Sequence, residues 1–177
     1  TPESPGEALW SFRDRDTDEP FERRMVATEY AIDTVRHVDW YTNEAYDGRV
    51  GYFRLSRFLE TSVAEIDAAF DELERVGVTD LVLDLRYNLG GRISVARRLA
   101  SLVVDDAQAG AVLQRYRFND KYTENEFELA VSGGVGGLGL RKLVVLTHPS
   151  TASASELVIS GLDPLADVQV IGISPTA

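Results

Sequence analysis

Six residues, Thr151-Ala152-Ser153-Ala154-Ser155-Glu156, lie between an apolar strand pattern, Leu143-Val144-Val145-Leu146-Thr147, and an apolar helix pattern from Glu156 to Leu162. A serine at such a strand–turn–helix junction has its hydroxyl beside the unpaired N–H groups of a helix start. From there it can attack a carbonyl, and those N–H groups stabilise the oxyanion that results. The spacing Ser153-x-x-Glu156 is also that of a capping box, whose ordinary task is only to start a helix. A second sharp turn, Arg86-Tyr87-Asn88-Leu89-Gly90-Gly91, follows the buried-type strand Leu81 to Leu85. Its glycines let the backbone approach a ligand closely and aim an N–H at it. Sites in parallel α/β sheets form at the carboxyl ends of strands, so the two turns are expected to meet there.

A serine needs a base to take its proton, and the chain offers few. His148 shares the turn of Ser153 and is the alternative base, although no carboxylate is obviously placed to orient its ring. His37 lies in the N-terminal segment with no assignable role. The only lysines are Lys121, in a polar stretch, and Lys142, at the entry of the strand that leads to Ser153. Five strand residues at about 3.3 Å each put Lys142 roughly 15 Å from the exit end. Cysteine is absent, which excludes a thiol nucleophile, a disulfide framework and thiolate metal sites. The run Asp14-Arg-Asp-Thr-Asp-Glu19 imitates the start of a calcium loop. It has Glu19 where that loop needs glycine and Met25 where it needs glutamate, so it reads as a hairpin turn. Gly134-x-Gly136-x-x-Gly139 matches a dinucleotide fingerprint but runs straight into a strand instead of a helix, and reads as a flexible loop. No metal and no cofactor are expected.

The elements that would position these residues change character along the chain. A formal net charge of −11 argues against nucleic acid as a partner. The apolar runs are too short to span a membrane. Thr1 is not an initiator methionine, and a removed leader is expected. Residues 1–48 read as a β-rich segment: short strands at Trp10–Phe12 and Met25–Ala27, then an alternating edge strand over Tyr30–Val35. From residue 49 the pattern is α/β, with strands at Val50–Leu55, Leu81–Leu85, Val112–Phe118, Leu143–Thr147 and Val168–Ile173. Between them lie a helix capped by Ser62-x-x-Glu65, with Val63, Ile66, Phe70 and Leu73 at helical spacing, and another burying Val95, Leu99, Leu102 and Val103. This alternation implies a largely parallel sheet covered on both faces.

The paired motifs Asp84-Leu-Arg-Tyr-Asn-Leu-Gly-Gly91 and Ser150-Thr-Ala-Ser-Ala-Ser-Glu156 resemble those of the C-terminal processing peptidases, also called tail-specific or carboxyl-terminal proteases. Val50-Gly51-Tyr52 leading to Phe58, and Val170-Ile171-Gly172, add to the likeness, which covers residues 49–177. The resemblance implies a ClpP/crotonase-like β-β-α spiral core and a serine endopeptidase that cleaves proteins or peptides near their C-termini. It implies Ser153 as nucleophile, with the N–H of Ala154 and that of Gly90 or Gly91 as the oxyanion hole. The family's base is a lysine beyond the last strand, and this chain is expected to stop short of it and to be inactive by itself. Residues 1–48 would be the end of a PDZ domain, or its linker, and the protein would be exported: periplasmic, extracellular or lipid-anchored. Substrate C-terminal tails are the implied partners. A non-catalytic ligand- or peptide-binding module of the same fold is the alternative.

Overall fold

The computed structural model describes residues 6–28, 30, 32–43 and 46–173 and separates into two units, 1–32 and 33–177. In the first, β1 (Glu7–Arg13) and β2 (Pro20–Val26) pair antiparallel. The acidic run between them is the hairpin turn: the Asp14 carboxylate accepts the N–H groups of Asp16 and Thr17 at 2.9 and 3.0 Å. Aspartate at a turn start does this routinely, bonding its own backbone two residues on.

The second unit holds a five-stranded sheet, in which β3 (Val35–Asn43) is antiparallel to β4 (Tyr46–Leu55). Beyond β4 come β5 (Asp80–Asp84), β8 (Lys142–Thr147) and β9 (Asp167–Gly172), all parallel. The edge strand expected at Tyr30–Val35 therefore begins where that stretch ends. Its Ala31 lies outside the described residues. β3 belongs to this sheet and thus to the second compact unit, 33–177. A second small sheet pairs β6 (Val112–Tyr116), within the expected strand Val112–Phe118, with β7 (Phe127–Ala130).

Helices α1 (Ser62–Arg75), α2 (Ile93–Val103) and α3 (Ala154–Leu162) share one core with the sheet. Register puts Gly51, Leu81 and Leu143 in one row and Phe53, Leu83 and Val145 in the next, all buried. Side chains alternate across a strand, so these rows define one covered face. The other face carries Tyr52, Val82 and Val144, each partly buried, with the buried Asp80 and Asp84, so among the described residues it is less fully covered than expected. The reason is visible in β4, where Tyr52 and Arg54 alternate with Phe53 and Leu55 as in a sheet with one wet side.

Ser62 and Glu65 do not form the expected cap; the N-cap is Thr61, without a side-chain bond. The Glu65 carboxylate instead accepts the N–H groups of Thr34 and Val35, both at 2.8 Å. The Ser62 hydroxyl accepts the Leu59 N–H at 3.0 Å and the Thr34 hydroxyl at 2.8 Å. Both residues thus tie the start of β3 to α1. The glycine-rich stretch is a loop fastened to α2: Leu138 and Leu140 donate N–H to the carbonyls of Leu102 and Val103, which a helix end leaves without partners.

Candidate active site

The site forms where β5 and β8 end side by side. Leu85 donates its N–H to the Leu146 carbonyl at 3.0 Å, extending the ladder past both strands. The two turns that follow are then locked together by buried polar groups. Thr151, fully buried, donates its hydroxyl to the Leu85 carbonyl at 2.8 Å and accepts the His148 N–H at 3.0 Å. Asn88, also fully buried, gives its side-chain N–H to the Leu55 carbonyl at 2.9 Å and accepts the Gly90 N–H at 2.8 Å. The Asn88 carbonyl accepts the Ala152 N–H and the Ser155 hydroxyl, each at 3.2 Å. Buried polar groups are costly unless satisfied, so this network fixes the turns relative to one another. Ser155 points inward and is spent on it, whereas Ser153 is exposed.

Ser153 stands directly before α3 with φ 58° and ψ −118°. A non-glycine residue there is strained by about 1–3 kcal/mol, and such strain persists only where surrounding contacts impose it. The main constraint is Glu156, whose carboxylate accepts the Ser153 N–H at 2.6 Å. The reverse half of the capping box, Glu156 N–H toward the Ser153 hydroxyl, is close enough to complete the motif but does not reach hydrogen-bond geometry. The hydroxyl therefore projects from a sharp strand-to-helix turn, the arrangement of a nucleophile elbow.

Gly90 lies against this elbow, and Gly91, next in the chain, against Phe58. A Cβ on Gly90 (φ 91°) would come within 2.8 Å of both the Ser153 Cβ and the Ala154 nitrogen, so only glycine admits the contact. A Cβ on Gly91 (φ 145°) would collide with the Phe58 carbonyl oxygen. The Gly90 N–H is committed to Asn88. Among the described residues no acceptor is assigned to the N–H of Gly91 or of Ala154.

A cleft of about 390 Å³ opens at Ser153, walled by Ile93, Ala154 and Leu157 on the helices and by Gln114 and Tyr116 on β6. The contribution of β6 had no local signal in the sequence, because it is made by packing of β6 on α3. Behind the first turn, Asp84 is fully buried and takes the Arg86 guanidinium at 2.6 and 2.9 Å and the Tyr52 hydroxyl at 2.6 Å. Burial alone would raise its carboxyl pKa. The hydrogen bonds from Arg86 and Tyr52 together outweigh burial and hold it below the ordinary value.

His148 is half-buried, and its ring meets that of Tyr87 with centroids 4.1 Å apart. Its Nδ1 accepts the Ser150 N–H at 3.2 Å and lies 2.8 Å from the Ser150 hydroxyl. Lys142 pairs with Asp167 at 3.4 Å at the opposite end of β8, and Lys121 is exposed in the loop after β6. His37 pairs with Asp39 at 3.7 Å on the edge strand. The structure thus brings together Ser153, Ala154 and Gly90, with His148 on the turn of Ser153 and Gly91 following Gly90, and keeps Lys142 apart from them. Asn88 and Tyr87 stood in the first motif without an assigned role. No helix among the described residues is long and apolar enough to cross a membrane.

A family model described as Peptidase family S41 matches residues 49–177. The carboxyl-terminal-processing protease of Synechocystis is 32% identical over 123 residues, covering 70% of this chain and 27% of its own length. The carboxy-terminal processing protease CtpA of Bacillus subtilis is 28% identical over 130 residues, covering 73% and 26%. The chain therefore spans about a quarter of the length of the curated relatives it matches. Among solved structures, one assigned to the S41 proteases from Bacteroides fragilis superposes with a TM-score of 0.72 at 25% identity, over 92% of this chain and 45% of that one. The photosystem II D1 C-terminal processing protease superposes with a TM-score of 0.58 at 24% identity, over 92% and 42%, and shows the same fold.

Proposed function

The chain belongs to Peptidase family S41, and from that premise we propose that it is the nucleophile-bearing core of a serine endopeptidase acting near the C-termini of proteins or peptides. The observation that carries this reading is the Ser153 elbow, strained, exposed at the start of α3 and closely approached by Gly90. Ser153 Oγ attacks the scissile carbonyl as its proton passes to a base, and the oxyanion is met by the N–H groups of Ala154 and Gly91. The C–N bond then breaks, the leaving amine takes that proton, and water hydrolyses the acyl-enzyme. Gly90 serves by closeness of approach, since its N–H is held by Asn88.

The base is a lysine in a Ser–Lys dyad, with its pKa lowered by burial so that it is unprotonated near neutral pH. Neither lysine of this chain serves: Lys142 is at the wrong end of β8 and Lys121 is exposed. Residues 1–177 by themselves are accordingly expected to give no peptidase turnover. The full natural protein is exported, and residues 1–48 hold the end of a peptide-docking PDZ domain or its linker. The test is peptidase turnover by the full natural protein and its variants on an unstructured peptide. Ser153→Ala should lower kcat by at least about 10³-fold, while Ser155→Ala costs stability first. Wild-type turnover by Ser153→Ala would reject the nucleophile. Comparable turnover by the 177-residue chain, lost in His148→Ala, would make His148 the base.

A further inference from the structure

Two features on the solvent side of the site remain outside that mechanism. Tyr87 has φ 66°, an uncommon backbone for an aromatic residue, and its side chain is 61% exposed. An exposed residue in a strained conformation needs something local to hold it there. The contact it makes is with His148, ring centroids 4.1 Å apart and planes inclined by 37°. The two residues belong to different turns: Tyr87 stands beside Asn88 on the turn that ends in Gly91, and His148 opens the turn that ends in Ser153.

We infer that Tyr87 and His148 are a positioning pair, a tilted ring-on-ring bridge that sets the spacing between the Gly91 N–H and the Ala154 N–H. On the buried side, that spacing is held by Asn88 and Thr151. Those bonds tie the turns together from the core side, and the tilted ring contact ties them a second time on the solvent side. The His148 ring is fixed for the purpose, since Nδ1 accepts the Ser150 backbone N–H and lies within reach of the Ser150 hydroxyl. A ring with Nδ1 so occupied is oriented by its own turn and presents its face to Tyr87. Neither residue is among those that wall the Ser153 cleft. The pair acts through donor geometry, to which oxyanion stabilisation is sensitive because the donors must sit near 3 Å from the oxyanion.

The inference rests on the nucleophile assignment above, and the test separates the two. The full natural protein is assayed for kcat and KM on a peptide, with melting temperature measured for each variant. Tyr87→Gly relaxes the left-handed backbone while removing the ring. It should lower kcat by about tenfold to hundredfold, less than the ~10²–10³ of losing a donor outright, with KM nearly unchanged and the melting temperature held or raised. His148→Ala should do the same to kcat, and the double variant should be little worse than either single one, as expected for partners in one contact. Tyr87→Phe and His148→Phe, which keep a ring on each side, should recover most of the lost rate without moving the pH profile.

Tyr87→Gly at the wild-type kcat, with Ser153→Ala inactive, would overturn the pair alone. So would a His148→Phe variant as slow as His148→Ala, which would point to the ring nitrogens instead of the ring-on-ring contact. Full activity in Ser153→Ala would overturn the nucleophile and this inference with it.

Discussion

Asp84 shows how one buried charge organises the site from behind. Its carboxylate is the acceptor for the Arg86 guanidinium, the Arg86 N–H and the Tyr52 hydroxyl, and these hold its pKa below the ordinary value despite burial. A carboxyl depressed in the folded state stabilises that state fully above its unfolded pKa, about 3.9. That contribution is lost as pH falls through the lower folded value. Asp80 is depressed in the same direction, where burial is outweighed by bonds from Thr79, Arg141 and Tyr46. The wild-type urea midpoint should therefore drop steeply below about pH 4. Asp84→Asn should be less stable by about 1–3 kcal/mol at pH 7, because Arg86 loses its charged partner, and its stability should fall less steeply with acid. Denaturation midpoints between pH 7 and pH 2.5 check both statements. Parallel curves for the two proteins would show that Asp84 is not the group that titrates.

At the scale of elements, most of the scaffold was legible because its signals are local. Leu81–Leu85 and Leu143–Thr147 are short apolar runs ended by turn residues, and Val95, Leu99 and Val103 recur at helical spacing. The glycine turn and the Ser153 turn were legible for the same reason. What escaped reading depends on residues distant in the chain. Ser62-x-x-Glu65 has capping-box spacing, yet Glu65 is taken by the N–H groups of Thr34 and Val35, a choice that no local window contains. Asn88 likewise looks like a turn asparagine until Leu55, Ala152 and Ser155 are seen around it. Val35–Asn43 was not read as a strand because His37, Asp39 and Tyr41 break the apolar pattern, as an exposed edge permits. The role of Glu65 is testable. Glu65→Ala should cost about 1–3 kcal/mol in urea unfolding, since two backbone donors lose a charged acceptor, and Glu65→Gln should cost less. A Glu65→Ala variant as stable as wild type would mean that β3 holds to the sheet without that anchor.

For the whole molecule, the division at Ile32/Asp33 makes a direct prediction. A chain that begins at Asp33 should unfold cooperatively with a melting temperature within a few degrees of the parent. A chain that begins at Arg49 lacks β3, exposes the ladder edge of β4, and should be destabilised and prone to associate. Thermal melts and sizing of the two shortened proteins decide between the boundaries. The locked turns described above also have a kinetic consequence. Thr151 reaches Leu85 across 66 residues of chain, and Ser155 reaches Asn88 across 67. Neither contact can form before β5 and β8 have found each other, and parallel pairings at such separation are slow to nucleate. During refolding, far-ultraviolet circular dichroism should recover first, as α1 and α2 form from local contacts. Reactivity of Ser153 toward an active-site probe, followed in the full natural protein, should return in the last phase. The proposed nucleophile is thereby a clock for the final step of folding: a partly folded chain lacks the joined turns that the proposed reaction needs.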